Sequence, residues 1–515
     1  MTARLDSLLG RVTMYRLVAY SLGVLQLLSL LFSALGLVRA ADPLELVISF
    51  AVLIVVTTAL NFALAALFRV RAHVTSTIIT AQILFFLLTP DLDVMRYVGI
   101  AIAGAIAVAS KYLLAPRGRH VVNPAAFGTL ALVIISAFVP AFSLTLWWVG
   151  TEALAPFVAI GGFLILFRTR RLPMGGLFVV AATLGGIAFT VVLTLSFNGE
   201  IDLVSIARTT LLSSPILFLA GFMLSEPLTL PPRRWQQLVY ALVVAAVMWG
   251  TLGIVPVVGN HAEFALVVAN VLAFLLGQRR GIRLEFTGRR QLSPTSWEFD
   301  FRPLRPVRFA PGQFMELTLP HPKTDSRGWR RVFSIASAPT SAGVVKFGIR
   351  LAEKGSSFKR ALLELEPGTR VSGTAVGGDF LLPPDPARPL LLVAGGIGIT
   401  PFIGHLEQAA AEPGTRDIAV VYAISSTDDL AYAEQLSAAG CQVALASPEK
   451  PKNMAAGWTW IGPGRVSGDT LLAAVPDAVK REAFLSGPPA MVADLKKALR
   501  KAGVKHIHTD VFVGY

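Results

Sequence analysis

The chain has 515 residues, 54% of them hydrophobic, and carries 46 Lys and Arg against 32 Asp and Glu for a net charge of +14. A mean hydropathy of +0.63 excludes a single soluble globule. The one cysteine, Cys441, excludes a disulfide framework and any four-cysteine zinc or iron-sulfur site within this chain, and its expected role is core packing.

Residues 1–278 hold only 16 of the basic and 10 of the acidic residues, so the composition changes near Gly277. The charge divides as +6 before that point and +8 after it, and no single basic patch points to nucleic acid. A hydrocarbon core about 30 Å thick needs roughly 20 apolar residues per helix. Ten stretches qualify: 14–38, 45–68, 73–90, 94–114, 124–146, 151–167, 173–197, 209–225, 236–256 and 262–278. The first starts behind a polar leader and reads as a retained anchor.

With the N-terminus inside, basic residues such as Arg16, Arg69, Lys111, Arg168, Arg171 and Arg234 share the cytoplasmic side, and only Arg39, Arg96 and Arg208 lie opposite. Ten spans return the chain to the cytoplasm at Arg279. The expectation is therefore a multi-pass protein of the cytoplasmic membrane, with its N-terminus and its C-terminal half inside.

Polar groups within spans are costly unless partnered, which singles out two clusters. One runs from Lys111 to Asn123-Pro124-Ala-Ala-Phe-Gly128. The other is Phe222-Met-Leu-Ser-Glu226-Pro227-Leu-Thr229. Each has an ordinary alternative: Pro124 suits the first turn of a helix, and Glu226 could sit at the interface.

The stretches K-Y-L-L-A-P-R-G-R-H-V-V-N-P-A-A-F-G and F-M-L-S-E-P-L-T resemble paired motifs of the membrane flavoprotein subunits of the sodium-translocating NADH:quinone reductase and of the Rnf complex. The resemblance covers about residues 60–278. It implies ten membrane helices, a flavin among them and a role in respiratory electron transfer, with Asn123, Pro124, Glu226 and Thr229 as candidate cofactor-binding positions. That family usually attaches FMN to threonine in S-G-A-T. This sequence has no S-G-A-T, so the expected pocket is for a noncovalent flavin (FMN or riboflavin) or a quinone.

From Ile282 the pattern becomes short alternating strands between Pro and Gly turns, which predicts a small antiparallel barrel. After Pro389 a run L-L-L-V-A, a glycine-rich turn and a helix precede I-A-V-V-Y-A, which predicts a parallel α/β sheet. In R-V-F-S, the planar fork of Arg331 suits a pyrophosphate. Phe333 offers an apolar face to a flat ring, and Ser334 can hydrogen-bond its polar edge. Lys354-Gly355-Ser356-Ser357 places a glycine turn before a helix, where backbone N–H groups favour phosphate. Gly395, Gly396 and Gly398 follow the buried strand and let backbone pass close to a cofactor. Thr400-Pro401 and Ser486-Gly487-Pro488-Pro-Ala-Met491 complete the series.

The ordered series resembles the ferredoxin-NADP reductase family over almost all of 282–515. The resemblance implies an FAD-binding barrel over 282–384 and a nicotinamide-binding α/β domain over 389–515. Arg331, Phe333 and Ser334 match the flavin motif, with Phe where the family commonly has Tyr. Ser486-Gly487 stands where Cys-Gly is frequent, which puts Ser334 and Ser486 beside the reacting atoms. The final D-V-F-V-G-Y resembles the segment whose aromatic covers the flavin, so Phe512 or Tyr515 is the candidate, Tyr515 counting as a third catalytic position; a frayed tail is the alternative. NADP-specific relatives have Ser-Arg where this chain has Ser447-Pro448, which favours NADH, while Lys450 and Lys452 leave NADPH open.

The expected activity is transfer of electrons from cytoplasmic NAD(P)H through FAD to a flavin or quinone in the membrane half, with partner electron-transfer subunits and no metal. A ferric-reductase-like alternative needs haem between paired histidines, and the membrane half has only His73, His120 and His261. A redox-coupled ion pump is the other alternative, with Glu152 and Glu226 as its chief acidic residues.

Overall fold

The computed structural model describes residue 9 and residues 12–39, 41–70, 72–90, 93–115, 120–143, 147–197, 199–250, 261–276, 281–322, 324–325, 329–340, 343–351, 355–411, 416–452, 454–463 and 465–512. The chain divides into two compact units, one of 12–280 and one that contains 281–515.

The first unit is helical: α1 (Met14–Ala34), α2 (Pro43–Leu67), α3 (Val74–Leu87), α4 (Val94–Leu113), α5 (Pro124–Ser136), α6 (Ala155–Arg168), α7 (Leu172–Ser196), α8 (Leu203–Leu212), α9 (Ile216–Met223, ending in a π turn), α10 (Arg234–Gly250) and α11 (Ala262–Leu276). Four of these, α1, α2, α4 and α7, are long and apolar enough to cross a bilayer, and α8 with α9, bent by 42°, makes a fifth if the pair is one span. Their outward side chains include Leu27, Val55, Val180 and Leu184, each more than half exposed, the surface expected of helices facing lipid.

The expectation of ten full spans is corrected here. The apolar stretch 73–90 yields a helix of 14 residues and 124–146 one of 13, roughly 20 Å long at 1.5 Å per residue. The ninth stretch runs partly outside the described residues. Apolar length overcounts because a chain can leave the helix inside a packed protein when other groups satisfy its backbone. At the end of α3, the N–H groups of Trp147 and Val149 donate to Leu87 O (2.7 Å) and Phe86 O (3.4 Å), and Trp148 Nε1 donates to Phe85 O (2.6 Å). These close carbonyls that a helix end leaves open.

The unit is built twice. In the first half α2 packs on α3 and α4, α4 on α5 and α1 on α3; in the second α7 packs on α8 and α10, α10 on α11 and α6 on α9, while α1 meets α6 and α5 meets α11 across the middle. The sequence echoes this in Asn123-Pro-Ala-Ala-Phe127 and Asn260-His-Ala-Glu-Phe264, before α5 and α11. The third member of each half falls short of a straight full-length helix, α3 with 14 residues and α8–α9 with a bend of 42°. Where α6 and α9 cross, a Cβ on Gly221 would lie 2.4 Å from Gly162 Cα, so glycine is needed there for this approach.

The second unit begins with strands β1 (Ile282–Ser293), β2 (Ser296–Pro303), β3 (Phe314–Thr318), β4 (Arg330–Ser334), β5 (Val345–Arg350) and β6 (Arg370–Gly377), with α12 (Ser357–Leu363) between the last two. They form one antiparallel sheet in the order β4-β3-β6-β1-β2-β5. Just past β4, Ala336 N–H donates to Lys346 O of the other edge strand, β5 (2.8 Å), curling the sheet around a core of Phe286, Phe299, Phe301, Phe347 and Phe358.

Next come β7 (Leu390–Gly395), α13 (Thr400–Ala411), β8 (Ile418–Ala423), α14 (Ala433–Ala438), β9 (Gln442–Ala446), β10 (Trp458–Trp460), α15 (Gly468–Ala474), β11 (Glu482–Gly487), α16 (Pro489–Lys501) and β12 (Ile507–Val511). The sheet is parallel, in the order β10-β9-β8-β7-β11-β12. Every residue of β7 is buried, as in a strand covered on both faces. Ala338 N–H donates to Glu407 (2.8 Å), and Arg350 pairs with Asp429 and Arg290 with Glu434, both at 3.1 Å, tying barrel to α/β sheet. Cys441 packs at the edge of the α/β core, and burial pushes its thiol up to about 11, which leaves it unreactive.

Candidate functional site

Strand order locates the first site. From β7 the chain proceeds through β8 to β9 on one side, and β11 lies on the other, so the winding reverses between β7 and β11. Parallel sheets open a crevice at the carboxyl ends of such strands. Gly395 ends β7 and Ser486-Gly487 ends β11, so the two glycine motifs, ninety residues apart, meet there.

A Cβ on Gly398 would stand 2.6 Å from Ser486 O and 2.8 Å from Gly487 Cα, and one on Gly395 would stand 2.8 Å from both Met491 Sδ and Pro488 Cδ. Gly396 (φ 55°) and Gly487 (φ 150°) hold backbone shapes that side chains resist. Ser486 is fully buried, and among the described residues its Oγ has no hydrogen-bond partner. Thr400 opens α13, bonded to Ile397 O (3.0 Å), with Pro401 next to it, and its methyl faces Gly348 of β5. Phe512 N–H donates to Gly487 O (2.9 Å), which sets Phe512 beside the crevice. Tyr515 lies outside the described residues.

On the barrel, alternation along β4 puts Arg331 and Phe333 on one face and Val332 and Ser334 on the other. Arg331 is 7% exposed, stands over the Phe358 ring at 5.4 Å, and pairs with Asp325 at 3.2 Å. Phe333 packs on Phe358 and Phe347, with centroids 5.8 and 6.3 Å away, so its ring is turned to the barrel core. The open apolar surface on this edge comes from Val332 and from Phe314, which pairs with Ser334 across the ladder. Ser334 itself is buried. Ser356 caps α12, accepting from Lys359 N–H (3.4 Å), and Ser357 donates its N–H to Asp325 Oδ2 (3.1 Å). Gly355 is described and Lys354 is not.

These donor sets fit the two cofactors. A buried guanidinium beside a backbone N–H already holding a carboxylate is a built anion site, suited to a pyrophosphate. A glycine-walled crevice with one unsatisfied hydroxyl suits a nicotinamide ring.

In the helical unit the structure brings Asn123, Pro124, Glu226 and Thr229 together. Asn123 caps α5 by accepting from Ala126 N–H (3.1 Å), Pro124 takes the first turn, and Asn123 Nδ2 donates to Glu226 Oε2 (2.7 Å). Thr229 Oγ1 donates to Glu226 O (3.4 Å). Asn123 N–H donates to Asn270 Oδ1 (2.8 Å), and Asn270 in turn donates to Tyr240 Oη (2.6 Å). Lys111 Nζ donates to Ser76 O (3.0 Å), and Arg171 donates to Ser225 O.

Asn270 and Tyr240 escaped the sequence reading, and Arg171 entered it only as a cytoplasmic charge. Asn270, an amide within the apolar helix α11, carried the signal that could have revealed it. The cavity beside the network, lined by Tyr15, Ser76, Thr80, Asn123, Phe222 and Glu226, holds about 40 Å³, room for a few waters rather than a flavin ring. Among the described residues no group of three or more His, Cys, Asp or Glu gathers to hold a metal.

An antiparallel barrel followed by a parallel sheet with a glycine crevice at its switch point is an arrangement with room for one cofactor on each domain. Residues 392–497 match the oxidoreductase NAD-binding domain family. The ferredoxin reductase component of the 3-ketosteroid-9-alpha-monooxygenase of Mycolicibacterium smegmatis is 29% identical over 40% of this chain and 56% of its own length. The reductase subunit of an aromatic O-demethylase of Amycolatopsis is 28% identical over 40% of this chain and 62% of its own. The solved cytochrome P450 reductase of Amycolatopsis is 24% identical with a TM-score of 0.38, covering 45% of this chain and 70% of that one. The chain thus spans 56–62% of these two curated relatives. Its C-terminal half carries an oxidoreductase NAD-binding domain and is similar in sequence to the reductase components of oxygenase systems.

Proposed function

We propose that this chain is a membrane-bound NADH dehydrogenase whose C-terminal module, with FAD on 282–384 and nicotinamide on 389–515, passes electrons to a quinone or flavin in the helical unit. With a quinone the balance is NADH + H⁺ + quinone → NAD⁺ + quinol. FAD, when bound, supplies the conversion from paired to single electron transfer. The chain's own residues do the rest: Arg331 neutralises the pyrophosphate, Ser334 and Ser486 hydrogen-bond the two rings, and Gly395, Gly398 and Gly487 let them approach. Ser447 Oγ is engaged by Glu449 O (2.6 Å), so it offers no donor to a 2′-phosphate, and NADH is the preferred donor.

The observation that carries the proposal is the convergence of Gly395, Gly398 and Ser486-Gly487 at the switch point, in a chain whose other half has four bilayer-length apolar helices. The four helices support a destination for the electrons in the membrane. The Asn123–Glu226 network is the acceptor's anchor.

The test uses the full chain in liposomes with NADH and a short-chain quinone, with acid extraction of flavin. NADH-dependent quinone reduction, or a second flavin besides FAD, supports the reading. NADH oxidation by ferricyanide with neither of these sinks the membrane acceptor. A second reading, delivery to a separate redox protein, is favoured by relatives that are components of oxygenase systems; electron transfer only to an added ferredoxin would select it.

A further inference from the structure

Arg331 does not stand in an open groove. Asp325 accepts from Arg331 Nη2 at 3.2 Å and 3.5 Å through its two oxygens and from Ser357 N–H at 3.1 Å. Its own N–H donates to Ser357 Oγ at 2.9 Å. Ser357 Oγ also meets His321 Nε2 at 2.8 Å, and His321 Nδ1 meets Leu319 O at 2.8 Å. A carbonyl only accepts, so Nδ1 carries the proton of the neutral ring, Nε2 accepts from the Ser357 hydroxyl, and that hydroxyl accepts from Asp325. The carboxylate is thus held at both ends, with Asp325 28% exposed at the rim.

The reason is electrostatic. A guanidinium as buried as Arg331 is strongly destabilising without a counter-charge. A pyrophosphate would offer a counter-charge through the same Nη2 and Ser357 N–H donors, and each N–H can serve one strong acceptor. Two anions on one guanidinium also repel each other.

We propose that Asp325 is an internal anion that occupies the pyrophosphate-binding face of Arg331 in the cofactor-free chain, and that FAD binds by displacing it. The proposal rests on the reading of 282–384 as the FAD barrel. Asp325 therefore lowers FAD affinity while stabilising the empty barrel.

The test is FAD binding to the FAD-stripped full chain, followed by flavin fluorescence. Asp325→Asn keeps the volume and removes the charge; FAD should bind roughly tenfold tighter, about 1.4 kcal/mol, and the FAD-free variant should melt lower than wild type. Unchanged or weaker binding overturns the proposal. Should the variant not fold, hydrogen exchange on the wild type decides. FAD loading should speed exchange in the peptide containing the Asp325 amide, against the protection a ligand ordinarily gives, and slowed or unchanged exchange overturns the displacement. Arg331→Ala separates the two readings: if it keeps FAD, the barrel assignment fails, whereas if it loses FAD while Asp325→Asn binds as wild type, only the displacement fails.

Discussion

The candidate sites of the two units treat their buried polar groups in opposite ways. In the helical unit Asn123, Glu226, Asn270 and Tyr240 bond to one another, and in the α/β domain Ser486 keeps a fully buried hydroxyl with no partner among the described residues. Leaving such a group unsatisfied costs roughly 1–3 kcal/mol. A closed network leaves its own polar groups satisfied among apolar helices, whereas an unsatisfied hydroxyl in a glycine crevice can still bond a ligand. The barrel lies between these cases, its buried Arg331 satisfied by an internal carboxylate.

Ways to break this contrast run from strong to weak. Gly398→Val puts a branched side chain where even a Cβ would stand 2.6 Å from Ser486 O. Overpacking of about 3 kcal/mol should lower kcat/KM for NADH roughly hundredfold while FAD content stays level; steady-state kinetics with ferricyanide would check it.

The next effect is on stability. Burial first, with the Arg416 charge adding and the Phe380 carbonyl opposing, lowers the His405 imidazole to about 4. Its folded value is below its unfolded one, so the unfolded chain takes up the proton first. About 3 kcal/mol of stability should be complete above pH ~6.5 and disappear as pH falls towards 4, and denaturant titrations of wild type and His405→Gln would show it as a slope the variant lacks. Arg331→Ala should weaken FAD binding roughly 10- to 100-fold by loss of a charge-assisted contact, measured as flavin retained after gel filtration.

Glu226→Gln probes the other unit. It should lower NADH:quinone activity about tenfold, 1.4 kcal/mol, with NADH:ferricyanide activity unchanged; equal loss of both would erase the distinction between the units. The smallest effect sharpens the comparison most. Ser486→Ala should stabilise the reductase unit by about 1 kcal/mol, by removing an unsatisfied hydroxyl, while slowing NADH oxidation several-fold. A destabilised variant would show that the hydroxyl is partnered after all.

Much of the reductase was legible before any coordinates. β7 is an unbroken apolar run, and β1 and β2 alternate, so burial alone separates parallel sheet from barrel. The motif residues Gly395, Gly398 and Ser486 were readable because close backbone approach demands glycine. Phe333 was less so: its type suggested a ring stack, but the register of β4 turns it towards Phe347 and Phe358 and leaves Val332 exposed. Asp325 gave no signal, since an aspartate in a loop has many ordinary uses.

By itself the sequence determined the division into an apolar and a charged half, the order of barrel and α/β sheet, and the residue types at each motif. These are properties of neighbouring residues, set by hydropathy period and by the needs of turns. Tertiary structure alone decided that α3 and α5 stop short, that Asn123 reaches Glu226 across 103 positions, and that Asp325 covers Arg331. Each depends on which remote group closes a backbone or balances a charge, and no local window contains that partner.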